Sequence, residues 1–428
     1  MGTKNGKMDK LGLFIFSLIL ILHGTYFRTR TSVEVPTVDW LIIARMGTCL
    51  AGLIVGAILF FGRFHLGFGA TALLCYVLAT GVSAVFSEQP IIVMGYFILL
   101  MGATMLLIAL VYRADDVLDL ERIEKVWFFT ILVLVLKDAV IGFFFTETLP
   151  NEDVSRLGMG VTHANFLSFL SVLLFWISFQ AGKSHRQLIL WPLRGLLILI
   201  LVGAVSRISI VAFFIGGLFY FLFRNINNFK NWIMIFSAIG FLTAGFLLNF
   251  SFDLEWSKGV TSYLRRGQND ERLTSFTGRT LIWQHAYKKA FESPLVGQGY
   301  GITRFTMGTL PEMDEYQPPH CHNDLLEVFL STGLFGFIPY FIFCVYGLRW
   351  SIKYTRLRGI FSEDLALHAV CIFVMVLFTS IFESNMGSRL TPIQPLFFFY
   401  VIILDRESDF LRQLKCSQTD PDRLSIQH

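Results

Sequence analysis

Charge is what this sequence is short of. Only 15 % of its 428 residues are Asp, Glu, Lys or Arg, where a soluble domain carries about 25 %. Hydrophobic residues make up 54 %, including 45 Phe, which excludes an ordinary soluble domain. The formal net charge of +4 is small and spread out, so no nucleic-acid partner is expected. Of six cysteines, four lie in apolar runs and Cys416 lies in the tail. Cys321 alone falls in the long polar segment, which leaves a disulfide there without a second thiol. No internal repeat is visible, and this weighs against an inverted-repeat transporter. The glycines of the GQGYG stretch at 297–301 follow no strand, so a nucleotide-cradling loop is a poor reading. The first apolar run, Leu11–Phe27, lacks a small-residue cleavage site and reads as an anchor.

What the chain has is apolar length. Runs lie near 11–27, 38–61, 66–86, 91–112, 126–145, 159–181, 187–205, 208–223, 231–250, 325–348, 365–385 and 391–404. Most reach the ~17 residues that a spanning helix needs. The seventh and eighth are nearly continuous, broken at Ser206-Arg207. The expected fold is an all-α polytopic membrane protein of about 12 transmembrane helices. Helices one to nine occupy 1–250, a large outer loop 251–324, helices ten to twelve 325–405, and a polar tail 406–428. Lys4, Lys7, Lys10, Lys183, Arg349 and Lys353 are among many cations on one side of this topology. The short connections on the other side hold Arg28, Arg30, Arg156, Arg207 and Arg389. The positive-inside rule then makes both termini cytoplasmic and puts the large loop outside. Within that loop Thr277 precedes a helical pattern of Leu281, Ile282, Trp283, Ala286 and Ala290, stopped at Ser293-Pro294. Such a helix is amphipathic and suits the membrane surface. Gly297, Gly299 and Gly301 follow as turn residues.

Charges inside spanning helices are costly and usually functional. Here they are Arg45, Lys137, Asp138 and Glu383, with Arg207 and Arg389 at helix ends. All lean toward the side of the large loop; Arg45 lies roughly 10 Å below the outer surface at ~1.5 Å per residue. The inner halves are expected to lack polar groups, which argues against a proton or ion pathway. Taken singly, each charge has a bland alternative: snorkelling, a local pair, or a bond to a neighbouring helix. Arginines gathered at one face suit a diphosphate, because the guanidinium fork grips phosphate oxygens in pairs. A lipid-tethered diphosphate would arrive sideways through the bilayer, at the depth of these charges. A histidine beside them can take a proton from an attacking hydroxyl. The combination points to glycosyl transfer from a polyprenyl diphosphate. His320 and His322, with Asp324 or Glu327, form no convincing metal set, and the bland reading of each histidine is a loop or helix-end residue. No cofactor is expected.

The motifs are similar to those of bacterial O-antigen ligases. His322-Asn323, nine residues and then Gly333-x-x-Gly336 match the H-[NSQ]-x9-G-x-x-G pattern of that family. The wider ligase/polymerase superfamily shows SR in a helix, here Ser206-Arg207. It also shows R-x-x-x-W followed by SP-x-x-G-x-G, here Arg279 to Trp283 and Ser293 to Gly299. Arg156 with Thr162-His163-Ala164-Asn165 resembles a further signature in the N-terminal half. The resemblance implies a C-type glycosyltransferase-like membrane fold in the bacterial inner membrane, with the active site on the periplasmic side. It implies metal- and nucleotide-independent, inverting transfer of a preassembled glycan from undecaprenyl diphosphate to a lipid A–core acceptor in lipopolysaccharide. His322 is then expected as base or hydroxyl-orienting residue, with Arg279 and Arg207 as the diphosphate clamp. Arg156, Arg265, Arg266, Arg45, Asn323 and Glu383 are expected substrate contacts. Polymerases of the superfamily carry two large periplasmic loops, whereas the stretch from Thr146 to Gly158 is short, which favours a ligase. A polymerase, a protein O-oligosaccharyltransferase and a lipid-linked glycan transporter are the alternatives.

Overall fold

The computed structural model describes residues 10–24, 40–60, 66–144, 157, 163–179, 184–224, 279–310, 317–356 and 362–419. The ninth apolar run, residues 251–278 and 311–316 of the large loop, and Arg156, Arg265 and Arg266 lie outside the described residues. Among the described residues the chain forms α-helices and one 3-10 turn, and no strand. They are α1 Lys10–Gly24, α2 Trp40–Phe60, α3 Phe68–Val82, α4 Pro90–Arg113, α5 Val117–Phe144, α6 Ala164–Ile177 and α7 Ser184–Gly203. After these come α8 Arg207–Arg224, α9 Arg279–Ala290, α10 Thr303–Met307, α11 Asp324–Arg356, α12 Glu363–Thr379 and α13 Ile393–Thr419. Every apolar run except the ninth coincides with one of them. Six, namely α2, α3 with its 3-10 extension, α4, α5, α8 and α11, are long and apolar enough to cross a membrane.

The bundle uses two devices suited to an apolar solvent. The first is close backbone approach at small residues. In α2, Gly52 and Gly56 are four apart and face α4; a Cβ on Gly56 would stand 2.8 Å from the Leu106 nitrogen. From the other side, a Cβ on Gly102 would stand 2.0 Å from the Cys49 carbonyl. The second device is capping of one helix by a side chain of another, since end groups find no water in a bilayer. Arg45 Nε donates to the Leu22 carbonyl at the end of α1 (2.8 Å). Arg113 Nε donates to Leu59 at the end of α2 (3.1 Å), and Arg406 Nη1 to Val111 at the end of α4 (3.0 Å). Arg194 Nη2 donates to Ser178 just past α6 (2.7 Å), while its guanidinium stacks 3.7 Å from the Phe179 ring. A cation at a helix C-terminus also complements the macrodipole. Read from sequence, Arg194 is a connection residue; it is fully buried within α7.

The buried polar groups correct a second expectation. The end of the bundle away from the large loop is not apolar throughout. His368 in α12 bonds Glu124 of α5 (2.8 Å) and donates to the Phe179 carbonyl (2.8 Å), and the Tyr400 hydroxyl of α13 donates to the same Glu124. Asp405 accepts from the Gly69 and Ala70 nitrogens at the start of α3 (2.8 and 2.9 Å). Each of these groups has its partner in place, so they form a clamp between helices. Within α5, Lys137 pairs with its neighbour Asp138 (2.7 Å).

Candidate active site

The site is assembled where α11 breaks. Gly333 has φ +58° and ψ −160°, which interrupts the helix inside Asp324–Arg356. A break frees carbonyls before it and N–H groups after it, and these need partners. The segment 294–299 supplies them. Gln298 N–H donates to the Leu330 carbonyl (2.8 Å) and Gly299 N–H to Ser331 (3.0 Å). In return Leu334 and Phe335 donate to the Pro294 and Leu295 carbonyls (2.9 and 3.0 Å). The two backbones touch: a Cβ on Gly333 would stand 2.3 Å from the Leu295 carbonyl carbon, and one on Gly297 2.4 Å from that of Ser331. Gly297, Gly299 and Gly301 all have positive φ, so the turns expected there are present. Gly297 and Gly333, one from each motif, thus meet in one seam.

That seam holds the first turns of α11 against α9. Ile282, Ala286 and Ala290 of α9 pack with Leu330, Cys321, Met307 and Leu310. Two fully buried carboxylates on α11 then collect the surrounding loops. Asp324 accepts from the Ser380 hydroxyl (2.6 Å) and from the Met386 and Gly387 nitrogens (2.7 and 2.9 Å). Glu327 accepts from Cys321 N–H (2.6 Å), the Ser384 hydroxyl (3.3 Å) and the Thr303 hydroxyl.

His322 lies between these anchors with φ +53°, a left-handed backbone that histidine tolerates better than bulkier residues but at a cost. Its neighbours are pinned on both sides. Cys321 is held by Glu327, and its carbonyl accepts from Trp283 Nε1 (2.9 Å). Asn323 N–H donates to Ser384 Oγ (3.2 Å).

The side chains converge on Glu383, in the turn after α12. Arg279 Nη2 and Asn165 Nδ2 both donate to its Oε1 (2.8 Å each), and His322 Nδ1 donates to its Oε2 (3.1 Å). Burial alone would raise the Glu383 carboxyl. The hydrogen bond from His322 and the charges of His322, Arg279 and His163 outweigh it, holding the group well below the usual carboxylate range. An ionised carboxylate accepts only, so His322 Nδ1 carries hydrogen, and in the neutral ring Nε2 is then the nitrogen with the lone pair. The His320 and His322 rings lie edge to face, centroids 4.1 Å apart. Burial, and then the charge of His322, push His320 well below its usual value. His320 is therefore neutral, and its Nδ1 accepts the His322 N–H (3.3 Å). Arg279, the first residue of α9, has no partner for Nε and Nη1 among the described residues, so part of its fork remains for a ligand.

Arg207 begins α8 beside this cluster. Ser206 bonds Ser209 (3.0 Å), Ser209 receives Ser168 (2.6 Å) and reaches the Asn165 carbonyl (3.4 Å). Asn165 in turn holds Glu383. Ser206, Asn165 and His322 are therefore joined in one hydrogen-bonded unit through Ser209 and Glu383. The N-terminal ends of α6, α8 and α11 and the C-terminal end of α12 meet here, the four ends that the charge bias assigns to one side of the membrane.

Three expected substrate contacts have protein partners. Asn323 caps α11, its Oδ1 accepting from Leu326 N–H (3.0 Å) and its amide donating to Ile381 (3.2 Å), so both ends of the amide serve the fold. Glu383 is the hub of the cluster, and a carboxylate is a poor contact for an anionic ligand. Arg45 caps α1. Sequence reading weighed Glu327 only as a metal partner for the histidines, and gave Asn165 no role.

One group of possible metal ligands occurs among the described residues. Donor atoms of His320, His322 and Glu383 lie within 4.8 Å of one another. The Arg279 guanidinium already occupies the same carboxylate, and its charge opposes a second cation there. These residues fit a histidine–carboxylate–arginine cluster better than a metal centre.

Residues 192–341 match the family model described as O-Antigen ligase. This segment contains α8, α9, the glycine seam and His322. A protein of Rickettsia bellii named "Putative polysaccharide ligase" is 28 % identical over 170 residues, 37 % of this chain. The match likewise spans 37 % of that relative's length.

Proposed function

We propose that the chain is a membrane-embedded glycosyltransferase of the O-antigen ligase kind, moving a preassembled glycan from undecaprenyl diphosphate to the lipid A–core of lipopolysaccharide. The observation that carries this reading is the shared carboxylate: Glu383 aligns a histidine whose Nε2 is open and an arginine whose fork is only partly used. The matched family segment supports it.

In the reaction an acceptor hydroxyl attacks the anomeric carbon from the face opposite the diphosphate, which inverts the centre. As the new C–O bond forms, the hydroxyl proton passes to His322 Nε2. The bond between the anomeric carbon and the diphosphate oxygen breaks, and the leaving charge is held by Arg279 and Arg207. Stabilising charge where it develops is usually the largest single contribution, and a guanidinium supplies it without a metal or nucleotide. Glu383 and Asn165 are positioning residues, and Glu383 also balances the imidazolium as it forms. The site faces the periplasm of the inner membrane in this scheme, with both termini cytoplasmic. The topology is 1–250, 251–324, 325–405 and 406–428, as read from sequence.

Reconstitution tests it. Purified protein in vesicles receives lipid-linked glycan and rough lipopolysaccharide, with EDTA and no nucleotide. Capped lipopolysaccharide is expected. Extension of one lipid-linked glycan by another would make the chain a polymerase. Passage of the glycan lipid across the bilayer with no new glycosidic bond would make it a carrier.

A further inference from the structure

The outward face of α9 combines aromatic, polar and cationic side chains. Ile282, Ala286 and Ala290 point inward. Thr280, Trp283, Gln284, Tyr287 and Lys288 form the opposite stripe, spaced three and four apart as one helix face requires. They form one shallow, open face of the helix. Its groups are two aromatic rings, a primary amide, a hydroxyl and an ammonium. Tyr287 is 57 % exposed. Trp283 is half-buried and fixed by its indole bond to the Cys321 carbonyl. The helix carries Arg279, His285, Lys288 and Lys289 and no acidic residue.

This chemistry suits a sugar chain. The apolar face of a pyranose lies on an aromatic ring, its hydroxyls bond amide and hydroxyl groups, and a lysine selects rings bearing phosphate or carboxylate. Position says which sugar chain. Trp283 holds the residue immediately before His322, so the ring platform and the proton acceptor are joined by one hydrogen bond and one peptide. Arg279, one turn back on the same helix, grips the carboxylate that aligns His322. The sugar whose hydroxyl meets His322 belongs to the acceptor.

We infer that the Thr280–Lys288 face of α9 is the acceptor subsite, taking an anionic oligosaccharide by stacking on Trp283 and Tyr287 and pairing with Lys288. This rests on the transfer reading above. A face that binds acceptor without touching the reacting atoms changes KM and leaves kcat alone.

The test is a steady-state assay of the full chain, with rough lipopolysaccharide titrated at saturating donor. Tyr287→Ala and Lys288→Glu, both at exposed positions, are compared with wild type. Each is expected to raise the acceptor KM about tenfold, equivalent to ~1.4 kcal/mol, with kcat and donor KM within about twofold. Dephosphorylated lipopolysaccharide is expected to erase most of the Lys288→Glu effect and keep that of Tyr287→Ala. Unchanged acceptor KM in both variants, or a rise in donor KM instead, overturns the assignment while transfer by wild type still stands. A wild type that makes no product overturns the transfer reading, and this inference with it.

Discussion

At the scale of single residues, the left-handed backbone of His322 shows what the surroundings do for the site. It persists because Glu327, Ser384 and Trp283 fix the residues on either side. Glu383 then sets which ring nitrogen carries the proton. Replacing it by glutamine removes the charge that balances the imidazolium, so Glu383→Gln is expected to lower kcat by roughly 10²–10⁴-fold. Asn165→Ala removes one of three donors to the same carboxylate, typically about 1 kcal/mol, and is expected to cost tenfold or less. Initial rates at saturating substrates measure both, and wild-type kcat in Glu383→Gln would place the carboxylate outside the mechanism. His320 gives a pH signature. Its folded-state pKa lies below the unfolded ~6.5, so the unfolded chain binds more protons below that pH. Stability is then fully present above about pH 6.5 and falls as pH drops below it. Glu383 acts in the same direction at lower pH, below the unfolded value of ~4.3. The unfolding midpoint of His320→Asn is therefore expected to fall less than wild type between pH 6.5 and 5.5. The groups facing His320 are His322, Glu383, His163 and Arg389, and equal slopes in the two proteins would assign the loss to them. His322, Arg279 and Arg207 were candidates because they fall in the motifs that carry the family resemblance. Glu383 was legible as important but not as the hub, because nothing in one dimension shows that positions 165, 279, 322 and 383 meet.

Among elements, the seam between 294–299 and the break in α11 does most to place the site. The sequence reading recognised Ser293 to Gly299 and Gly333-x-x-Gly336 as separate motifs and read the first as turns. Their shared purpose needs the structure, since Gly297 and Gly333 each make room for the other segment's backbone. Periodicity placed α9 well: the pattern after Thr277 gave a helix to Ser293-Pro294, and the element is Arg279–Ala290. Periodicity could not show the break in α11, because an apolar run reads the same with or without a kink. Arginine capping was invisible for a similar reason: Arg45 and Arg194 find their carbonyls on neighbouring helices. Gly333→Ala and Gly297→Ala are each expected to cost roughly 1–3 kcal/mol from backbone strain, with more from the contacts a Cβ would make. Because both act on one seam, the double variant is expected to lose less than the sum. Thermal unfolding in detergent checks this, and strict additivity would mean that the two glycines act independently.

For the whole molecule, the apolar runs made an all-helical membrane protein legible, because spanning length is read directly from composition. How the ends group was read from charge bias, and the meeting of α6, α8, α11 and α12 at one cluster fits that grouping. Single cysteines replacing Lys258 or Gln317 are expected to label from the periplasm, and ones replacing Lys230 or Lys353 are not. Periplasmic labelling at Lys353 would undo the twelve-helix topology. Chelation is a second test at this scale: transfer is expected to survive EDTA, and loss restored by one divalent ion would contradict charge stabilisation by arginine. The central claim is that His322 takes a proton from the acceptor in a chain that also binds lipid diphosphate. The most direct measurement is single-turnover transfer by His322→Ala and His322→Gln, with donor binding measured on the same preparations. Both variants are expected to bind lipid-linked glycan as wild type does and to transfer it roughly 10²–10⁴-fold more slowly. Near-wild-type transfer by His322→Ala would remove the imidazole from the reaction and contradict the account.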